Sequence, residues 1–476
     1  MSHISQFRLM LMAWLALMLL AGCASSLGAV PPTASTVPSP SPSLFAGPKV
    51  IPFFTTESDP NQINTLRKLI AEYQRLNPDV EIDIVLASPA SRGRRLLMAL
   101  ASGADLGIFE IEPTLMTEWA DAGYLLELED VVAAIGADDY MEGSLFNYKG
   151  HTYAIPYATS VYGLWVRTDL FAQAGLPLPT SYDEVLNAAE VLTQGEVYGI
   201  ALPGGQNNAT VNYFSTFLWQ NGADYFSCEG EVVFGEAEAL QAIERWVALT
   251  QHAPPGFTTW GYSEQIDAFL RGRIAMAMYA GRLGVNLVDN APELTDKVMV
   301  VFPPWGKERV TLGVWSRFAI AAGTHHQNEA KAFLRWLVSG DRLLRYDMTV
   351  PGHMIPPLRS VQQMKINQNT PVVPQQRDWL ASFNAWVPNT SHPAMNMGVI
   401  RNGRFTRSQI VPPWSDLVFG SPGIVNSMLQ EITLGERPPQ DAWQDAVSKM
   451  EDAIRNWKEQ HPEWEGIADC GLRIAE

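Results

Sequence analysis

The sequence predicts an α/β fold, and three observations carry that prediction. From Lys49 onward, short apolar runs of strand length alternate with amphipathic segments of helical period. Hydrophobic residues make up 47% of the 476 and charged residues 17%, enough apolar material for a large buried core and incompatible with a disordered chain. No internal repeat or heptad array competes with the alternation. The length fits about three domains of ~150 residues, or equally two larger lobes.

The elements follow in order. Residues 50–54 read as a first strand. Asp59-Pro60 supplies an N-cap and an N1 proline, after which Ile63, Leu66, Leu69, Ile70, Tyr73 and Leu76 recur at helical spacing until Pro78. Residues 81–86 form the second strand, residues 94–101 a second helix ending at Gly103, and residues 107–111 a third, buried strand. Ser181-Tyr-Asp-Glu184 is a capping box opening a helix through Val185, Ala188, Ala189 and Leu192. Ala330, Phe333, Leu334 and Leu337 mark a helix closed by Gly340, and Ala442, Ala446, Met450, Ala453 and Ile454 mark a last one that packs the C-terminal part.

The first residues bear on compartment. Arg8 precedes an apolar run over residues 9–20, too short to span a bilayer and of the length of a signal-peptide core. The run ends in Leu20-Ala-Gly-Cys23, which resembles the lipobox of bacterial lipoproteins; that resemblance implies cleavage after residue 22, a lipid on Cys23, and an extracytoplasmic protein anchored to the bacterial membrane. The alternative is an ordinary signal peptide with a chance cysteine. Residues 23–48, with Pro31-Pro32 and Pro38-Ser-Pro-Ser-Pro-Ser43, cannot pack a core and favour extended polyproline II. At about 3.1 Å per residue such a tether reaches roughly 70 to 80 Å.

Charge and cysteine content exclude several classes. Thirty-three Lys plus Arg against 50 Asp plus Glu leave a formal charge of −17, which argues against nucleic acid as a partner. Of the three cysteines, Cys23, Cys228 and Cys470, none forms a CxxC pair, so a zinc finger is excluded; Cys228 and Cys470 are either one disulfide or two separate thiols. His325-His326 lacks a nearby ligand set and reads as solvated imidazoles, so no metal site and no cofactor is expected.

Several segments together resemble the bacterial extracellular solute-binding proteins of family 1, which serve ABC importers. They are Ile51-Pro-Phe-Phe-Thr-Thr-Glu57, Tyr73-Gln-Arg-Leu-Asn-Pro78, Val80-Glu-Ile-Asp-Ile-Val85, Trp119-Ala-Asp-Ala-Gly-Tyr-Leu-Leu-Glu-Leu128, Tyr148-Lys-Gly-His-Thr-Tyr-Ala-Ile-Pro156 and Leu170-Phe-Ala-Gln-Ala-Gly-Leu176. Pro179-Thr-Ser-Tyr-Asp-Glu184, Phe269-Leu-Arg-Gly-Arg-Ile-Ala-Met276 and Ala330-Lys-Ala-Phe-Leu-Arg-Trp336 continue in the family's order. The likeness covers most of residues 50–360 and continues more weakly to about residue 457. It implies a two-lobed periplasmic-binding-protein-like fold (type II), with crossing hinge strands and a ligand cleft between the lobes. The first lobe would hold residues 49–157 plus 314–352, the second 158–313 plus 353–476. It also implies a monomer that captures a carbohydrate or related polar solute and hands it to the permease's transmembrane subunits. Two departures stand out: Leu106-Gly107 where the family has Pro-Asp, and Val166-Arg167 where it has Tyr-Asn.

In open α/β sheets ligands lie beyond the carboxyl ends of strands. That places Thr55, Thr56, Glu57 and Ser58 after strand one, Ser88 after strand two and Glu112 after strand three at one rim. Carboxylates accept strongly from sugar hydroxyls; the alternative for Glu57 is a helix cap, and for both acids plain solvation. Fifteen Trp and 14 Tyr supply apolar faces with polar handles. Tyr157 and Tyr162 fall at the first crossing, Trp260 in the turn Phe257-Thr-Thr-Trp-Gly-Tyr262 and Trp315 just after the second crossing; each is either a ligand contact or core. Arg282, in Ala280-Gly-Arg282, either forks onto a polar or acidic ligand or makes a salt bridge.

The rival readings are an exported glycoside hydrolase and a binding lipoprotein that feeds a sensor. No GxSxG, HExxH, P-loop or GxGxxG motif is present and no acid pair can be placed at a hydrolytic spacing from sequence, so no catalytic residue is assigned.

Overall fold

The computed structural model describes residues 47–57, 59–86, 92–227, 230–304, 306, 308–364, 374–393, 399–401, 404–406, 412–462 and 464. Residues 1–46, on which the expected export signal, Cys23 and most of the expected tether fall, and Ser58, Ser88, Cys228 and Cys470 lie outside the described residues. Pro48–Glu476 is one unit. Among the described residues no helix is long and apolar enough to cross a membrane.

Strands β1 (Lys49–Thr55), β2 (Val80–Leu86) and β3 (Ile108–Glu110) are joined by the helices Pro60–Leu76 and Arg92–Ala101, the predicted β-α-β-α-β order. The first helix starts as its sequence dictates: the Asp59 carboxylate accepts from the backbone N–H groups of Asn61 and Gln62, and Pro60 needs no partner. Asn77, before Pro78, terminates it. Its face of Ile63, Leu66, Leu69, Ile70 and Tyr73 is buried against the sheet. β1 pairs in parallel with both β2 and β3. Gly107, one of the two departures from the family pattern, has φ +57°, and a Cβ there would stand 2.1 Å from the Pro52 carbonyl oxygen. Only glycine lets the chain pass so close to β1 on its way into β3.

β4 (Phe146–Tyr148), β5 (His151–Val161) and β10 (Thr311–Ile320) complete the first sheet in the order β2-β1-β3-β10-β5-β4, with β10 antiparallel to β3 and β5. β11 (Thr390–Ser391) joins the start of β10. The second sheet, β7-β8-β6-β9, is built from β6 (Gly163–Arg167), β7 (Tyr198–Ala201), β8 (Ile274–Tyr279) and β9 (Val298–Val301).

Each sheet has its own core. Phe53, Leu66, Ile82, Phe318 and Phe333 belong to the first, and Trp165, Phe214, Trp246, Met276 and Leu429 to the second. The C-terminal helix Pro439–Gln460 buries Ala442, Ala446, Met450 and Ile454 in the second core, as its periodicity predicts. Three chain passes run side by side between the sheets: Thr159 of β5 pairs with Trp315 of β10 and bridges to Ile355. Met354, Leu358 and Val361 pack into the first core, beyond the boundary at residue 352 that the family likeness implies.

Two local expectations change. The helix Gln327–Leu337 stops three residues before Gly340, which instead opens the next helix, Gly340–Asp347, with φ +62°. β3 spans Ile108–Glu110, one residue short of the predicted strand at each end, although the Ile111 N–H still donates to the Arg317 carbonyl of β10 at 3.2 Å.

Candidate functional site

The carboxyl ends of β1 and β3 lie together because the two strands are parallel neighbours, and there the structure assembles a polar rim. At its centre is Glu110, 5% exposed. The Thr55 hydroxyl donates to its Oε1 (2.5 Å), and the Thr56 N–H (3.0 Å) and hydroxyl (2.6 Å) donate to its Oε2. The Tyr157 hydroxyl lies 3.4 Å from Oε1. A buried carboxylate is stable only when so supplied with donors. Burial, together with the negative charges of Glu110 and Glu57, pushes the Tyr157 phenol well above its ordinary pKa, so it stays neutral and able to donate. Its ring stacks on Phe318 at 4.2 Å, and Tyr346 stands 6.0 Å away.

The second lobe presents aromatic rings instead. Tyr162, between β5 and β6, meets Tyr213 at 5.5 Å and Tyr279 at 6.0 Å; Tyr262 meets Tyr213 at 5.9 Å and Tyr279 at 6.0 Å, closing a ring of four tyrosines. Asn212 Nδ2 donates to the Tyr262 hydroxyl at 3.0 Å, and Tyr162 and Tyr262 are hydrogen-bonded through their side chains. Burial pushes the Tyr262 phenol up to about 12, with the Asn212 bond pulling it back, and raises Tyr162 and Tyr213 well above their usual value. All are neutral hydroxyls at physiological pH.

Glu57 and Arg282 join the two sides. Arg282 Nη2 lies 3.2 Å from Glu57 Oε2, and both side chains are about four-fifths buried, with 21% and 22% exposed. Arg282 opens the helix Arg282–Asn290, whose Val285 packs in the first core and whose Leu283 and Leu287 pack in the second. The turn before it is set by close backbone contact: a Cβ on Gly281 would stand 2.0 Å from the Gly352 carbonyl carbon. Next to that contact, burial and the Arg282 charge hold the His353 imidazole well below its ordinary pKa. Further along the seam, Thr114 of the first lobe hydrogen-bonds Asp416, whose carboxyl is raised by burial and by the charge of Glu112. Glu118 is raised by burial and by Asp416.

The structure thus brings together Thr56, Glu57, Tyr157, Tyr162 and Arg282, with Glu112 facing Tyr262 and Asp416 electrostatically. Glu57 does not cap the following helix, a role taken by Asp59. Trp260 is half-buried against the second core, its carbonyl accepting from the Gly205 N–H and from Asn207 Nδ2. Trp315 is 3% exposed and its side chain packs in the second core, which also holds Tyr162. Glu110 was not anticipated; its signal is a carboxylate inside an otherwise apolar strand, Ile108-Phe-Glu-Ile111, where an unpartnered acid would be prohibitive. Tyr213, Tyr262, Tyr279 and Asn212 carry no such mark, since each looks like core or surface until the elements meet.

Two α/β lobes joined by three crossing passes, with a polar rim on one and an aromatic rim on the other, define the class of two-lobed binding proteins. The chain belongs to the bacterial extracellular solute-binding protein family, whose model matches residues 59–340, more than half of its length. It is similar to YcjN of Escherichia coli (strain K12), provisionally named an ABC transporter periplasmic-binding protein, at 24% identity over 86% of this chain and 93% of that one. A mannitol-binding protein of Pseudomonas aeruginosa is 25% identical over 63% of this chain and 71% of its own length. Among solved structures, maltose-bound MalE3 of T. maritima superposes with a TM-score of 0.70, covering 84% of this chain and 98% of that one at 18% identity.

Proposed function

We propose that this protein is the extracytoplasmic solute-binding subunit of an ABC importer, capturing an uncharged sugar, oligosaccharide or polyol between its lobes and presenting it to the permease. The observation that carries this reading is the buried Glu110 carboxylate, held by Thr55, Thr56 and Tyr157 at the end of parallel strands and placed in the lobe opposite a ring of tyrosines. Carboxylate and hydroxyl groups accept from and donate to vicinal hydroxyls, and aromatic faces suit the apolar faces of sugar rings. Arg282 is partnered by Glu57, and Glu110, Glu112 and Asp416 add negative charge, so the electrostatics favour a solute without anionic groups. The relatives named for mannitol and maltose support the same ligand class.

In this reading Cys23 carries the lipid, the Pro/Ser/Thr-rich segment is the tether, and the protein acts as a monomer without catalysis. Solute binding shifts an open and closed equilibrium, and the closed form offers both lobes to the permease at once.

Thermal unfolding of the full chain against mono- and oligosaccharides, polyols and sugar phosphates tests the proposal. A ligand at one hundred times its Kd adds about 2.7 kcal/mol and raises the midpoint by several degrees. The expected hits are uncharged and are not turned over. Shifts confined to the phosphates would overturn the ligand class, and hydrolysis of a bound oligosaccharide would overturn the binding role.

A further inference from the structure

On the first lobe, Glu127, Glu129 and His151 converge without contributing to the rims described above. The stretch that carries the two acids is pinned on both sides: the Leu126 N–H donates to the Ile320 carbonyl (2.9 Å) and the Leu128 N–H to the Thr152 carbonyl (2.8 Å). Glu127 and Glu129 flank the buried Leu128, and the N–H of Thr152 returns to Glu129 Oε1 at 2.7 Å. His151, the first residue of β5, therefore faces both acids in a register set by backbone bonds. Its Nδ1 is 3.4 Å from Glu127 Oε1 and 3.2 Å from Glu129 Oε1, and one ligand atom from each of the three residues lies within 4.8 Å of the others.

Donors bound at about 2.0 to 2.1 Å around a tetrahedral ion stand about 3.3 Å from one another. Both His-to-Glu separations match that spacing. We propose that Glu127, Glu129 and His151 bind a divalent transition-metal ion of the zinc and copper class, leaving its remaining position to water. One imidazole nitrogen and two carboxylate oxygens suit these metals, whereas magnesium and calcium take oxygen ligands. The Thr152 N–H holds Glu129 in the manner of an outer-shell partner, and the nearby Lys149 ammonium is engaged by Asp121 at 2.6 Å. The bound ion would clamp the stretch at residues 127–129 to the start of β5, and so stabilise the first lobe by mass action without touching the cleft.

The test is calorimetric titration of the metal-stripped full chain with Zn2+ alone, paired with Cu2+ electron paramagnetic resonance. One equivalent of Zn2+ binds the wild-type chain, is not displaced by excess Mg2+, and is weakened at least about tenfold in both His151→Ala and Glu127→Gln. Nitrogen coupling in the Cu2+ spectrum is lost in His151→Ala. Glu127→Gln preserves side-chain size and carries the test should His151→Ala fold poorly. A wild-type chain without a stoichiometric Zn2+ site, or Zn2+ affinity unchanged in both variants, would overturn the proposal and leave an imidazole set between two carboxylates. Sugar binding is measured in the same samples and stays unchanged, so this result is independent of the ligand reading.

Discussion

The two lobes face each other with different chemistry. The first holds one buried carboxylate whose oxygens are fixed by Thr55, Thr56 and Tyr157; the second packs four tyrosine rings 5.5 to 6.0 Å from their neighbours, of which Tyr262 is the partly exposed one. Charged hydrogen bonds are strong and directional, so under the proposed function the first rim is the side expected to set which hydroxyls are recognised. Ring faces bind by area and tolerate variation, so under the proposed function the second side is expected to set how firmly a ligand is held. A lobe that specifies and a lobe that adheres need not be equally sensitive to substitution, and the difference between them can be measured.

The largest effect belongs to the joint between the lobes. Trp315 sits on β10 of the first sheet with its side chain in the second core, so Trp315→Ala should cost about 3 to 5 kcal/mol of folding stability. Denaturant unfolding reads this directly; a stable variant with selectively weakened solute binding would move Trp315 from the core to the aromatic rim. Next comes the specifying lobe. Glu110→Gln keeps the size of the side chain and removes its charge, and should weaken binding by about 2 kcal/mol, roughly 30-fold in Kd by calorimetry. An unchanged Kd would mean that Glu110 serves only to brace Thr55 and Thr56.

On the adhering side the expected loss is smaller. Trp260 is only half-buried, and Trp260→Ala should weaken binding by about 1 kcal/mol with little change in stability. Should Trp260→Ala exceed Glu110→Gln in effect, the division of labour between the lobes would be reversed.

The smallest effect lies at the seam, where Asp416 of the second lobe meets Glu112 and Glu118 of the first and accepts from Thr114. Partial burial raises the Asp416 pKa, so the folded chain takes up its proton more readily than the unfolded chain. The resulting penalty is absent below the ordinary carboxylate pKa and grows as pH rises through the raised value. Asp416→Asn should therefore raise Tm slightly at pH 7 and leave it unchanged near pH 3; an equal shift at both pH values would exclude this electrostatic origin.

Much of the fold is legible without coordinates because it depends on local rules. Asp59-Pro60 marks the start of a helix and Asn77-Pro78 its end, and both operate as written. Ser181 caps the helix Tyr182–Leu192 and accepts from the Glu184 N–H, while Glu184 reaches back to Thr180. The candidate site is less legible. Looking past the ends of strands finds Thr56 and Glu57, yet it selects Glu112 over Glu110 because one residue of strand length decides which acid is enclosed. Aromatic residues named by segment divide in space: Tyr157 stacks on Phe318 beside Glu110 in the first core, whereas Tyr162 and Trp315 both pack in the second.

By itself the sequence determined the periodicities, the caps, the strand-to-helix order, the family pattern and the acidic balance that disfavours nucleic acid, all properties of residues near one another in the chain or summed over it. Tertiary structure decided the partners. Glu57 and Arg282 are 225 residues apart and Glu110 and Thr55 are 55 apart, and each pair meets only after the sheets have formed. The physical reason is that a buried charge is tolerated only beside its donors or counter-charge, and which groups fill those places depends on how β1, β3 and the helix at Arg282 pack.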